Sequence, residues 1–101
     1  MAPLISDTLQ QLQYHLDQQI QRVRRNNWRG FASAQPHIEA LIKEMTTNPH
    51  LQEPVPAQQK EQLVRTYQQL LLMIDSHKQI TEEQLKKIRK GKKTVQTYRH
   101  V

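Results

Sequence analysis

An all-α protein is the fold class this sequence predicts, arranged as a single-domain, antiparallel three-helix bundle with a long C-terminal helix. Three observations lead there. Apolar residues recur at steps of three and four through most of the chain, the spacing of one helical face. Good helix formers dominate the composition, with Gln at sixteen positions and only Gly30 and Gly91 as glycines. Three of the five prolines, Pro49, Pro54 and Pro56, gather in one short stretch that must separate helices. At 101 residues with 36% hydrophobic side chains, the chain can build one modest core.

The first helix is expected over about residues 7–26. Leu9, Leu12, Leu16, Ile20 and Val23 share a face, and Ser6 or Asp7 can accept the free N–H groups of its first turn. Asn26 and Asn27 break the pattern, being suited to ending one helix and capping the next. The second helix is expected over about 28–46, with Trp28, Phe31, Ile38, Leu41, Ile42 and Met45 on one face and Ala34 and Gln35 between them. The face keeps its phase across Pro36, so a kink there is expected rather than a break. A linker follows over 47–56.

The third helix is expected from about 57 to 99. A 4-3 heptad walk from Leu63 lands on Tyr67, Leu70, Ile74, His77, Thr81, Gln84, Ile88, Gly91, Val95 and Tyr98, and Leu71 and Leu85 widen the stripe. Thr81 followed by Gln84 has the form of a capping box, which would start a new helix at Thr81. A new helix would reset the phase, and the phase is kept. One continuous helix is therefore expected, on the order of 60 Å long, with its second half projecting beyond the other two helices.

No enzyme signature is present. There is no phosphate-binding glycine loop and no cysteine, and no Ser has a base at helical spacing. His15, His37, His50, His77 and His100 are scattered, with no i, i+4 pairing to another His or to a carboxylate, so neither a metal nor a cofactor is expected. His77 reads as a hydrogen-bonded core or edge histidine, and Trp28 as a plug for the end of the bundle. Asp17, Glu39 and Glu44 read as solvated helix-face charges. "LLLMI" at 70–74 is too short to cross a bilayer and the N-terminal residues hold no signal-peptide core, which makes a cytoplasmic protein the expectation.

The formal net charge is +6, and its placement is lopsided. Lys86, Lys87, Arg89, Lys90, Lys92, Lys93 and Arg99 stand in a closing stretch without a carboxylate side chain; elsewhere eight basic residues face nine acidic ones. Only Tyr98 among those charges could stack on a base, and the cations spread around the helix rather than along one stripe. Cations also suit a helix C-terminus. A protein-binding helix is the preferred reading, with nucleic-acid binding as its rival.

The stretches "RVRRNNWRGFASAQPHIEALI" and "LKKIRKGKKTVQTYR", in this order and spacing, resemble the FliT family of flagellar export chaperones. The resemblance covers roughly residues 8–99. It implies a small helical bundle that binds the C-terminal part of the flagellar filament-cap protein, keeps it unpolymerised and helps deliver it to the type III export gate. Some members also bind export-apparatus subunits or the flagellar master transcription regulator. This chain departs from the family in being basic, and it is expected to lack the additional C-terminal helix that partly covers the binding surface in some members.

The residues themselves suggest where binding would occur. The projecting half of the third helix would carry a half-apolar seam without an internal partner. The contact residues expected on it are Ile80, Gln84, Leu85, Ile88, Val95 and Tyr98, with Lys92 and Arg99 offering charge to an acidic partner. Self-association of two projecting halves into a homodimer is the competing use of the same seam.

Overall fold

The computed structural model describes residues 5–47, 57–75, 77 and 80–97. They form four helices: α1 (Ile5–Arg24), α2 (Trp28–Thr47), α3 (Ala57–Asp75) and α4 (Glu82–Thr97). The all-helical class agrees with the sequence, but the helix count does not. The long helix expected over about 57–99 is two helices, α3 and α4. The longest dimension of the molecule, 40 Å, cannot hold a helix of about 60 Å.

The two asparagines act in the turn between α1 and α2 as their chemistry suggests. Asn26 adopts the left-handed conformation at φ 55°. Its N–H donates to the Val23 carbonyl at 3.1 Å, and that of Asn27 donates to the Arg22 carbonyl at 2.8 Å. This paired arrangement closes the carbonyl end of α1. Asn27 then caps α2, its Oδ1 accepting the Gly30 N–H at 3.0 Å and its backbone carbonyl the Phe31 N–H at 3.0 Å. The helix α2 continues through Pro36, which faces solvent. Pro36 has no N–H for the Ala32 carbonyl, and Ala32 is exposed too, so water can serve that carbonyl instead.

The break after α3 is the main correction to the sequence reading. The N–H of His77 donates to the Ile74 carbonyl at 3.0 Å as α3 ends. The Thr81–Gln84 capping box forms in both directions: the Thr81 N–H donates to Gln84 Oε1 and the Gln84 N–H to Thr81 Oγ1, each at 3.1 Å. Continuous phase did not require a continuous helix, because the seam positions at the break are His77, Thr81 and Gln84, whose burial offers little. Folding back buries Ile88 and Val95 to 2% and 1% exposure. Each such burial contributes about 1.5–3 kcal/mol, which a projecting helix would forgo.

Helix α1 packs against α2 and α3, and α4 packs against α3 and, over a shorter stretch, against α2. Gln13 of α1 reaches Thr66 of α3 at 2.7 Å, and Gln10 and Gln13 share a recess with Gln58, Gln59 and Gln62, so α1 and α3 run parallel. Glu39 lies near Lys87 and Ile42 near Gly91, so α2 and α4 are parallel as well. Two helical hairpins thus lie side by side in an up-down-up-down bundle. Its core is built from Leu9, Leu12, Leu16 and Ile20 of α1, Phe31 and Ile38 of α2, Leu63, Tyr67 and Leu70 of α3, and Ile88 and Val95 of α4, among others.

Residue 91 shows how tightly α4 is seated. A Cβ on Gly91 would stand 2.7 Å from Ile42 Cδ1 and 2.9 Å from the Tyr67 hydroxyl. The missing side chain is what lets α4 approach α2 and α3 together. Ile88→Ala should cost about 2–4 kcal/mol in urea unfolding followed by circular dichroism. Leu72→Ala, at a position 76% exposed, should cost less than about 0.5 kcal/mol.

Candidate protein-binding groove

Folding α4 back removes the surface the sequence suggested. Ile88 and Val95 are core residues, and while the bundle is closed neither side chain reaches a partner. Ile80 and Leu85 are half-buried and pack on the core from its edge. The Gln84 side chain is engaged in capping α4. Lys92 is half-exposed. Tyr98 and Arg99 lie outside the described residues, as does most of the 47–56 linker.

The structure opens a different surface. Between the parallel helices α2 and α4 runs a groove of about 450 Å3, lined by Glu39, Ile42 and Lys43 from one side and Lys87, Lys90, Gly91 and Thr94 from the other. The spacing on each helix explains why these residues meet. Positions 39, 42 and 43 share one stripe of α2, and 87, 90, 91 and 94 one stripe of α4. The floor is apolar at Ile42 and Gly91. Three lysines and one carboxylate line the walls, with Lys87 and Glu39 3.6 Å apart in an exposed ion pair. The Thr94 hydroxyl is held on its own helix, Oγ1 donating to the Lys90 carbonyl at 2.9 Å.

The Tyr67 hydroxyl ends beneath Gly91, behind the groove and not among its lining residues. It is buried and has no hydrogen-bond partner among the described residues. Burial pushes its pKa well above the usual phenol value, so it stays protonated. An unmet buried hydroxyl costs about 1–3 kcal/mol. Beside the groove α4 packs on α2 less extensively than on α3.

Away from the groove, Trp28 plugs one end of the bundle as expected, its ring 5.7 Å from Phe31 and 5.0 Å from His77. Its Nε1 is buried without a partner among the described residues. Two polar features escaped the sequence reading. Gln19 is fully buried; its Nε2 donates to the Phe31 carbonyl at 3.0 Å and to Gln35 Oε1 at 3.3 Å, and its Oε1 accepts from Arg22 at 2.8 Å. His15 and His37, far apart in sequence, meet edge-to-face at 4.6 Å across α1 and α2. Among the described residues no group of three or more His, Cys, Asp or Glu gathers as a metal site would need. None of the described helices is long and apolar enough to cross a membrane.

No protein-family model, curated protein or solved structure matches this chain. Any functional reading therefore rests on the residues and their geometry, together with the sequence resemblance.

The histidine pair gives a prediction for pH. Partial burial first, then the neighbouring His37, then Arg22, hold the His15 pKa below the ordinary value of a histidine. The unfolded chain therefore binds a proton at higher pH than the folded one. The stability from neutral His15 is present above the unfolded pKa and is lost as pH falls through the folded value. Thermal melts should show lower stability on going from about pH 7.5 to about pH 5, and His15→Gln should reduce that drop.

Proposed function

We propose that this chain is a flagellar export chaperone, a cytoplasmic binding protein and not an enzyme. In this reading it holds the filament-cap protein unpolymerised and aids its delivery to the export gate. The α2–α4 groove is the observation that carries the reading. It is open, apolar at its floor and basic at its walls, which suits a helix-in-groove contact with an acidic protein. The two sequence stretches that resemble the FliT family add support, and they contribute both groove helices, α2 and α4.

The groove takes the place of the projecting seam as the proposed contact. Of the residues first expected to bind, Lys92 is half-exposed on α4 outside the groove lining, and Ile80 and Leu85 form a half-buried edge near the start of that helix. Export-apparatus subunits and the flagellar master regulator are further partners that the resemblance suggests, and nothing in the groove selects between them.

One observation favours nucleic acid as a second reading. Lys86, Lys87, Arg89, Lys90 and Lys93 are all exposed on α4. Salt separates the two. Phosphate contacts weaken linearly in log salt as counterions are released, whereas a contact with an apolar floor survives. Size-exclusion chromatography with light scattering, run with the filament-cap protein of the same organism, should give a defined heterocomplex that persists at about 0.5 M salt. A homodimer without a heterocomplex, or binding only to nucleic acid that vanishes at that salt, would refute the chaperone reading.

A further inference from the structure

We propose that the α2–α4 groove seats one amphipathic helix of a partner, apolar along its contact line and acidic on its flanks. This deepens the chaperone reading and rests on it for the identity of the partner, but not for the chemistry of the segment.

Three observations carry the proposal. The groove follows two parallel helices, and Ile42 and Gly91 give it a floor with no hydrogen-bonding side chain. A helix that presents small or branched apolar residues can meet such a floor; a sugar–phosphate backbone gains nothing from it, and the groove walls hold no aromatic ring for a base to stack on. Charge comes second. Lys43, Lys87 and Lys90 line the groove against the single carboxylate of Glu39. Lys86, Arg89 and Lys93 continue the positive surface along the exposed side of α4, while the α4 carboxylates, Glu82 and Glu83, stand in its first turn. Flanking Asp or Glu on an incoming helix would complement this wall and fix its placement.

The third observation lies beneath the floor. Of the four neighbouring helix pairs α2 and α4 pack least extensively, and the buried Tyr67 hydroxyl beneath them has no hydrogen-bond partner among the described residues. A helix of a partner laid along this seam would cover the groove that α2 and α4 leave open among the described residues. Gly91 contributes here as well, since a Cβ at this position would force the Ile42 Cδ1 and the Tyr67 hydroxyl, or α4 itself, to shift.

The test uses the full chain, 15N-labelled, and two synthetic helical peptides of about 18 residues. Both carry the same Leu and Ile stripe, one flanked by Glu and the other by Lys. The Glu-flanked peptide should cause saturable amide shifts centred on Ile42, Gly91 and Thr94. Lys87→Glu combined with Lys90→Glu, both at exposed positions, should weaken it at least about tenfold with the circular dichroism spectrum unchanged. The Lys-flanked peptide should bind the reversed variant better than the original chain. Shifts elsewhere on the bundle, equal binding of both peptides to the original chain, or an oligonucleotide moving the same amides as strongly as the Glu-flanked peptide would each overturn the proposal. A filament-cap complex that survives the double reversal would overturn the groove and leave the chaperone reading standing. Peptide binding in the groove without any filament-cap complex would do the reverse.

Discussion

The close approach at Gly91 is the constraint on which the other features depend. With no side chain at residue 91, α4 can rest against Ile42 of α2 and Tyr67 of α3 at once, and Ile88 and Val95 on either side of it become core. Glycine inside a helix costs roughly 0.5–1 kcal/mol relative to alanine. The burial of two branched side chains more than offsets that cost. The same closeness fixes the groove, since α2 and α4 are held side by side where their contact is short. It also buries the Tyr67 hydroxyl, which has no partner among the described residues. The packing of α4 and the proposed binding surface therefore share one origin.

Much of the fold was legible in the sequence because each helix hides one stripe. Leu9 to Val23 and Leu63 to Ile74 are buried as their spacing foretold, and Asn26 and Asn27 end and begin helices by the mechanism their side chains allow. Even within the misjudged third helix, Ile88, Gly91 and Val95 do share one stripe as their spacing indicated, although that stripe was expected to project without an internal partner and is instead buried. The turn was lost because heptad phase constrains which side of a helix is apolar, not whether the chain runs straight between two such stretches. Local hydrogen bonding between Thr81 and Gln84 decided that point, and it was visible as a pattern but outweighed in the reading.

The candidate site was much less legible. Glu39, Ile42 and Lys43 meet Lys87, Lys90 and Thr94 only when the chain reverses between residues 75 and 82, and no periodicity encodes which helices become neighbours. The clue that was present was Gly91, a glycine at a core position of an otherwise glycine-free helix, which asks for a close neighbour. Gln19 and the His15–His37 pair were missed for the same reason. Each sits where a polar residue on one helix finds its partner on the next, and polar residues at such positions read as solvent-facing until the partner helix is in place.

The return of α4 onto α3 carries both the fold and the groove, and a pair of spin labels can test it directly. The chain has no native cysteine, so Gln62→Cys and Gln96→Cys, both at exposed positions, would carry the only labels. A hairpin brings these positions to neighbouring helices whose axes lie about 8–10 Å apart, and pulsed electron paramagnetic resonance should report a distance near about 20 Å once the label arms are added. A continuous helix from α3 through α4 would set them about 50 Å apart. That longer distance would contradict the bundle, and the groove with it.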